Sequence, residues 1–309
     1  YAEDDGKIVG TNCAIPFDLI NADKTIIRSA KSEDTLVDPT YRGQKIFYNI
    51  YQFLFEKCKE QGIQLIWGFT SAKKPFEKVG FEVPYEHIQS LGVNRVFGAW
   101  SYISSLNPKN GIIEYVKILG LSVFARFKLI FRTRLSPISN YVMTETKEIS
   151  NGVGKLIEAN LVANQSLFAI NQTEEFQNWR VYHNPNYSEM MTFGFYTPEK
   201  KLRGLIVMIP NAKKVAYVVQ SSFHPEVTQK DKSGMVFYAS DRARDKGVSL
   251  IRNWEWDTNS VNKQEVEVYD KAGHFVLNKG IGLVWKKLDD VDLEPENFLL
   301  SRIASQGTN

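Results

Sequence analysis

Residues 37–47 read "VDPTYRGQKIF", from Val37 to Phe47. A strand-like run ends on a carboxylate and a proline, Asp38-Pro39. Arg42 and Gly43 come next, and a strongly helical pattern follows, with Ile46, Phe47, Ile50, Tyr51, Leu54 and Cys58 near helical spacing. A strand-loop-helix junction of this kind is suited to an anion. The first helical turn leaves backbone N–H groups unpaired, and its dipole favours negative charge. Gly43 lets the backbone approach closely, and the Arg42 guanidinium offers a fork of donors matched to phosphate. The three glycines of a dinucleotide fingerprint are missing, as is the Gly-Lys-Ser/Thr of a P-loop. An ordinary turn with a solvated arginine is the plain alternative.

Working outward, the first hundred residues read strand, turn, strand, strand, helix, strand, helix. Asp5-Gly6 is a tight-turn pair inside the opening hairpin "YAEDDGKIVGTNCAIPF". "KTIIRSAKSEDTLV" is a strand with an expected irregularity near Lys31-Ser32. Gly62 is the expected helix C-cap. "IQLIWGF" is apolar enough to be buried on both faces, and "SAKKPFEKVGF" reads as a short helix ending at Gly80. A chain that opens inside a hairpin implies further elements upstream in a longer protein.

The last part repeats the first. "KKLRGLIVMIP" matches "DGKIVGTNCAIP", "DKGVSLIRNWEW" matches "EQGIQLIWGFTS", and "EVYDKAGHF" matches "KPFEKVGFE", in the same order. Three ordered matches suggest two copies of one fold. The second copy adds "EISNGVGKLIEANLVANQ" and "TEEFQNWRVYH", read as a strand and helices before its hairpin. After "KVAYVVQSSF" it continues "HPEVTQKDKSGMVF" with no Arg-Gly pair, so it is expected not to hold the anion.

Composition bounds the function. The chain has 309 residues, 43% hydrophobic and 24% charged, with a net charge of +3. That is room for two domains of ordinary size and too little charge to imply nucleic acid. Cys13 and Cys58 make no disulfide framework, so a reducing, cytoplasmic setting is expected. His87, His183, His224 and His274 are scattered without metal-ligand spacing, so no metal is expected. Glu255 and Asp257, between Trp254 and Trp256, could hold an amine or a sugar ring. A strand whose alternate residues face solvent is the favoured reading. Trp179, Tyr182 and Tyr187 are read as packing between helices.

The stretch from Leu91 to Glu145 differs. Arg95, Lys109, Lys117, Arg126, Lys128, Arg132 and Arg134 outweigh Glu114 and Glu145, and apolar residues lie between them. It reads as one or two helices. They could pack between the copies, close a substrate site, or lie on an anionic membrane. Arg126 falls opposite Lys117, which favours burial between domains over peripheral membrane contact.

Hairpin, strand, "V-x-P-x-Y-R-G-x-x-I", amphipathic helix, apolar strand and "F-E-K-V-G-F" together resemble the GCN5-related N-acetyltransferase (GNAT) family over about positions 1 to 90. The resemblance implies an α/β fold of two GNAT-like lobes, each a mixed, mostly antiparallel sheet flanked by helices. The first lobe would span 1–90, without its N-terminal elements. A basic connector would span 91–145, a degenerate second lobe 146–288, and a tail 289–309. It implies acetyl-CoA as co-substrate and a small amine as acceptor, with no nucleic acid partner. Arg42, Gly43, Gln44, Lys45, Ile46 and Phe47 would form the pyrophosphate loop, and Thr35, Leu36 and Val37 would line the pantetheine. Lys45 and Phe47 stand where the family pattern has small residues. Phe76 stands where many members have a tyrosine that protonates the leaving thiolate, which leaves Tyr85, Tyr41 or water for that role. Asp34 is the expected general base, with Glu33 as alternate. A non-catalytic lobe that binds acyl-CoA, or serves as a scaffold, is the competing reading. A longer or aminoacyl donor is a third.

Overall fold

A computed structural model describes residues 1–107, 111–133, 140–146, 152–185, 189–300 and 303. Lys109, Arg134 and Tyr187 lie outside the described residues. The strands are β1 (Ala2–Asp4), β2 (Lys7–Pro16), β3 (Leu19–Asn21), β4 (Ile26–Ile27), β5 (Ser29–Val37), β6 (Leu65–Thr70), β7 (Glu82–Val93), β8 (Val142–Thr146), β9 (Phe168–Ile170), β10 (Met191–Tyr196), β11 (Leu202–Pro210), β12 (Val215–Phe223), β13 (Leu250–Glu255), β14 (Phe275–Lys287) and β15 (Phe298–Leu299). The α-helices are α1 (Ile46–Glu60), α2 (Lys73–Lys78), α3 (Val96–Ser105), α4 (Ile112–Thr133), α5 (Gly152–Ala163), α6 (Glu174–Gln177), α7 (Gln229–Asp245) and α8 (Ser260–Lys271). The fold is mixed α/β. It divides into two units, one of Tyr1–His87, Gln165–Asn171 and Lys279–Phe298, the other of Ile88–Asn164, Gln172–Asn278 and Leu299–Asn309.

In the first unit the strand order is β1-β2-β5-β6-β14. All neighbours are antiparallel except β5 and β6, which run parallel from Ser29↔Leu65 to Lys31↔Trp67. The opening hairpin forms as its turn residues require, with Asp5 and Gly6 both at positive φ. One face of the sheet takes α1 and α2. Tyr51, Phe55, Phe76 and Phe81 pack there with ring centroids 5.4 to 5.7 Å apart. Gly10 makes the close seat for α1. A Cβ there would meet Ile46 and Ile50 side-chain atoms at 2.8 Å. Trp67 packs edge-on to Phe17 and to Phe298, which also stacks on Phe168. Phe298, in the segment read as a tail, is thus part of a core.

The second unit repeats the element order. Its sheet runs β13-β12-β11-β10-β8, flanked by the Ile88–Val93 part of β7, and only β12 and β13 are parallel. The repeat extends to helix ends. α1 and α7 stop at Gly62 and Gly247, α2 and α8 at Gly80 and Gly273. All four glycines are left-handed, and the next amide bonds back into the last turn, as in Ile63 N–H to Cys58 O and Val248 N–H to Ala243 O.

Three expectations change. The β5 irregularity is not at Lys31-Ser32. The β2 register slips between Thr11↔Leu36 and Cys13↔Glu33, so the bulge contains Asp34, which has φ of 49°. Glu255 does not face solvent. It is 3% exposed, because the face it shares with Asn253 is covered, and its Oε1 accepts from Ser90 and Asn253. Trp179, by contrast, is exposed.

Candidate functional site

β5 and β6 pair only as far as Lys31 and Trp67 and then separate. Gly68 sits at the fork, where a Cβ would meet the Ser32 carbonyl at 2.9 Å. Beyond it lies a cleft of about 890 Å³. Ser32 to Val37 form one wall, Phe69 and Thr70 the other. Tyr41 to Gly43 and Lys45 to Tyr48 close one end, and Ala72, Pro75, Phe76, Lys78 and Val79 from the α2 region complete it.

The loop is set by local chemistry. Asp38 accepts from the Thr40 amide at 2.9 Å and from its hydroxyl at 2.6 Å, and Lys7 reaches Asp38 at 2.8 Å. Those bonds hold the Asp38 carboxyl well below the usual carboxylate range, Lys7 contributing most. Gly43 has φ of 89°, and nothing lies within 4 Å of where a Cβ would stand. Lys45 caps α1 at φ of 61° and makes no side-chain capping bond. The helical ladder starts with Asn49 N–H to Lys45 O at 2.9 Å, so the Ile46, Phe47 and Tyr48 amides precede it. The loop thus leaves a helix N-terminus without a side-chain cap next to Arg42 and Lys45, in a cleft that Lys78 also lines.

Lys45 occupies a position where glycine would be the easy choice. It keeps the left-handed conformation at a cost of roughly 1 kcal/mol. Phe47 is bulky for a packing reason, since its ring lies 4.8 Å from Tyr51 and 5.5 Å from Phe76.

The bulge rests on a polar knot. Tyr51 Oη is 2.8 Å from Ser32 Oγ and 2.9 Å from Thr35 Oγ1, and Asn12 Nδ2 donates to Thr35 Oγ1 at 2.7 Å. Burial pushes the Tyr51 phenol up. Thr11 Oγ1 donates to the Asp34 carbonyl at 3.1 Å. The Asp34 side chain is exposed beside the cleft. Glu33 is paired with Lys31, which is 1% exposed.

Thr35, Leu36, Val37, Arg42, Gly43, Lys45, Ile46 and Phe47 therefore share the cleft with Glu33 and Asp34, whereas Gln44 and Tyr85 are not among its lining residues. Lys78, Tyr48 and Phe69 were not anticipated, and neither was the Asn12–Tyr51 knot. Lys78 sits two residues before Gly80 within "FEKVGF" and could have been read as a cation at the loop.

At the corresponding place in the second unit, α7 begins with its own cap. Thr228 Oγ1 accepts from the Asp231 amide at 3.1 Å and donates to the Asp231 carboxylate at 2.8 Å. A carboxylate already occupies this helix N-terminus.

The first 83 residues match the family model of the acetyltransferase (GNAT) domain. Residues 1–83 form a GNAT domain. Solved structures share the fold over a longer stretch. A GCN5-related N-acetyltransferase from Anabaena variabilis ATCC 29413 is similar at TM-score 0.57 and 7% identity, over 93% of this chain and 61% of that one. One from Kribbella flavida is similar at TM-score 0.53 and 10% identity, over 93% and 59%. Saccharomyces cerevisiae N-myristoyltransferase with bound myristoyl-CoA is similar at TM-score 0.52 and 12% identity, over 95% and 71%. The chain thus spans about three fifths of the length of the first two. No curated protein sequence matches it. Among the described residues, no group of three or more His, Cys, Asp or Glu around the GNAT domain or elsewhere could hold a metal ion. No helix of the described residues is long and apolar enough to cross a membrane.

Proposed function

We propose that the GNAT domain binds acetyl-CoA in the β5/β6 cleft and that the chain is an N-acetyltransferase for a small amine, such as an amino sugar. The uncapped start of α1 beside Arg42 and Lys45, in the cleft that Lys78 also lines and continuous with the separated edge of β5, carries this reading. It offers amides and cations for a pyrophosphate at one end and a strand edge for an extended arm along the other.

Amides at the β5 bulge are placed to polarise the thioester carbonyl. The amine nitrogen attacks the carbonyl carbon, the C–S bond breaks, and the ammonium proton goes to Asp34 directly or through water. Glu33 is the weaker candidate because Lys31 already engages it. For the leaving thiolate, Phe76 has no proton to give and Tyr85 is not in the cleft wall. Tyr41 stands at the phosphate end. Asp34 and Val37 are already about 10 Å apart along an extended strand, and Tyr41 lies beyond them. Water in the open cleft is therefore the proton source in this reading. The repeated element order and glycine-ended helices support a tandem arrangement, with Thr228 and Asp231 making the second copy unfit for a pyrophosphate.

Calorimetry with acetyl-CoA on the wild type and on Arg42→Ala/Gly43→Asp tests this. Micromolar binding that weakens at least about tenfold in the variant is expected, since charge-assisted bonds to phosphate are lost. No binding by the wild type would leave the scaffold reading standing. Tighter binding of a longer acyl-CoA would change the donor but not the site.

A further inference from the structure

The end of the cleft where β5 and β6 meet is closed by a buried charge. With a pyrophosphate at the start of α1, an extended arm runs back along β5 from Val37 towards Ser32, and its acyl group points at that end. The inference below rests on this acetyl-CoA reading. At the floor the strands touch. Their last parallel pair is Lys31↔Trp67, and a Cβ on Gly68 would already meet the Ser32 carbonyl at 2.9 Å. On the α1 side Tyr51 Oη is 2.8 Å from Ser32 Oγ, and the Tyr51 ring lies 4.8 Å from Phe47 and 5.4 Å from Phe76. Side chains alternate along a strand, so Lys31 and Glu33 leave β5 on the opposite face. Lys31 is 1% exposed, its ammonium is paired with Glu33, and it lies 5.6 Å from the centre of the Phe69 ring. Glu33 belongs to one wall of the cleft and Phe69 to the other. One buried lysine therefore engages both walls at the closed end.

A buried ammonium is tolerated where a carboxylate answers it. Glu33 does so from the cleft wall, with its side chain 21% exposed. Two consequences follow for an acyl group. A hydrocarbon chain finds no apolar slot at this end, because its further carbons would press on an ion pair and strip it of its remaining water. A carboxylate at the end of an acyl group would meet the like charge of Glu33, since the charge of Lys31 is already answered.

We propose that Lys31, Glu33 and Phe69 form a stop that sets the donor: a short, uncharged acyl group is admitted, longer chains gain nothing, and carboxyl-ended chains are repelled. The test is calorimetry of the full chain with acetyl-CoA, octanoyl-CoA and succinyl-CoA. Octanoyl-CoA is expected to bind no more tightly than acetyl-CoA, and succinyl-CoA at least about tenfold more weakly. A chain-binding slot would instead gain about fourfold for each buried methylene. Glu33→Gln leaves the Lys31 cation to meet the succinyl carboxylate, so the ratio of succinyl-CoA to acetyl-CoA affinity should rise at least about tenfold. Lys31→Met/Glu33→Gln removes that cation and should lose the gain. The wild-type series needs no variant, and a ratio of affinities is insensitive to a partly unfolded sample. Tighter binding of octanoyl-CoA than of acetyl-CoA overturns the proposal, as does succinyl-CoA binding as well as acetyl-CoA or a ratio that Glu33→Gln leaves unchanged. In each of those cases acetyl-CoA still binds and the cofactor reading survives. Absence of acetyl-CoA binding overturns both.

Discussion

Lys45 concentrates the residue-scale question, because it holds a glycine conformation with a side chain. Lys45→Gly is expected to raise stability by up to about 1 kcal/mol by removing left-handed strain. The same change removes a cation from the loop, so acetyl-CoA affinity should fall in calorimetry while the urea midpoint rises. Asp34→Asn is expected to lower kcat by roughly 10²-fold or more with acetyl-CoA affinity unchanged. An equal loss from Glu33→Gln with none from Asp34→Asn would reverse the assignment of the base. The types of residue at the loop were readable in the chain: Arg42, Gly43 and the proline turn announce themselves locally. The Asp34 bulge was not, because it depends on register with β2, set by residues more than twenty positions away.

At the scale of elements, the start of α1 and the start of α7 differ in one respect that matters. Thr228 and Asp231 close the second helix, while Lys45 leaves the first without a side-chain cap. Thr228→Ala/Asp231→Ala should cost about 1–2 kcal/mol of stability through the lost cap, measured by urea titration, and should not create acetyl-CoA binding. Tyr51→Phe removes the hydroxyl that ties Ser32 to Thr35. It is expected to destabilise the fold by about 1–3 kcal/mol, since buried partners lose a bond, and to lower kcat by loosening the bulge. Helix periods and glycine ends were legible here because they are written within a few residues. The outward face of α4 was not. An apolar stripe in a sequence signals burial, and only the docking of Leu129 on Gly273 shows that the opposite side is the buried one.

For the whole molecule, buried ionisable groups set a pH dependence. Burial pulls the His274 imidazole down to about 3, so it stays neutral while an unfolded histidine takes up a proton near 6.5. The unfolded chain then binds more protons, and stability falls as pH drops below about 6.5 towards 3. Burial pushes the Glu255 carboxyl well above its ordinary 4.5. It stays protonated where the unfolded chain ionises, so its contribution falls as pH rises above 4.5. The two oppose each other between those values. Urea midpoints between pH 4 and 8 should therefore decline less on the acid side for His274→Gln and less on the alkaline side for Glu255→Gln, with slopes of at most about 1.4 kcal/mol per pH unit.

What the sequence determined by itself was what short range can encode. The hairpin turn, the helix periods, the glycine ends, the residues of the loop before α1 and the repeated order of elements each depend on neighbours along the chain. Tertiary structure alone decided where β5 bulges and where it parts from β6, that Lys31 engages Glu33, that Glu255 is buried, and which side of α4 meets solvent. Each of these is a choice between faces or registers. A strand or helix presents both faces with equal local ease, and only packing against distant residues, with the desolvation and close contact it brings, selects one.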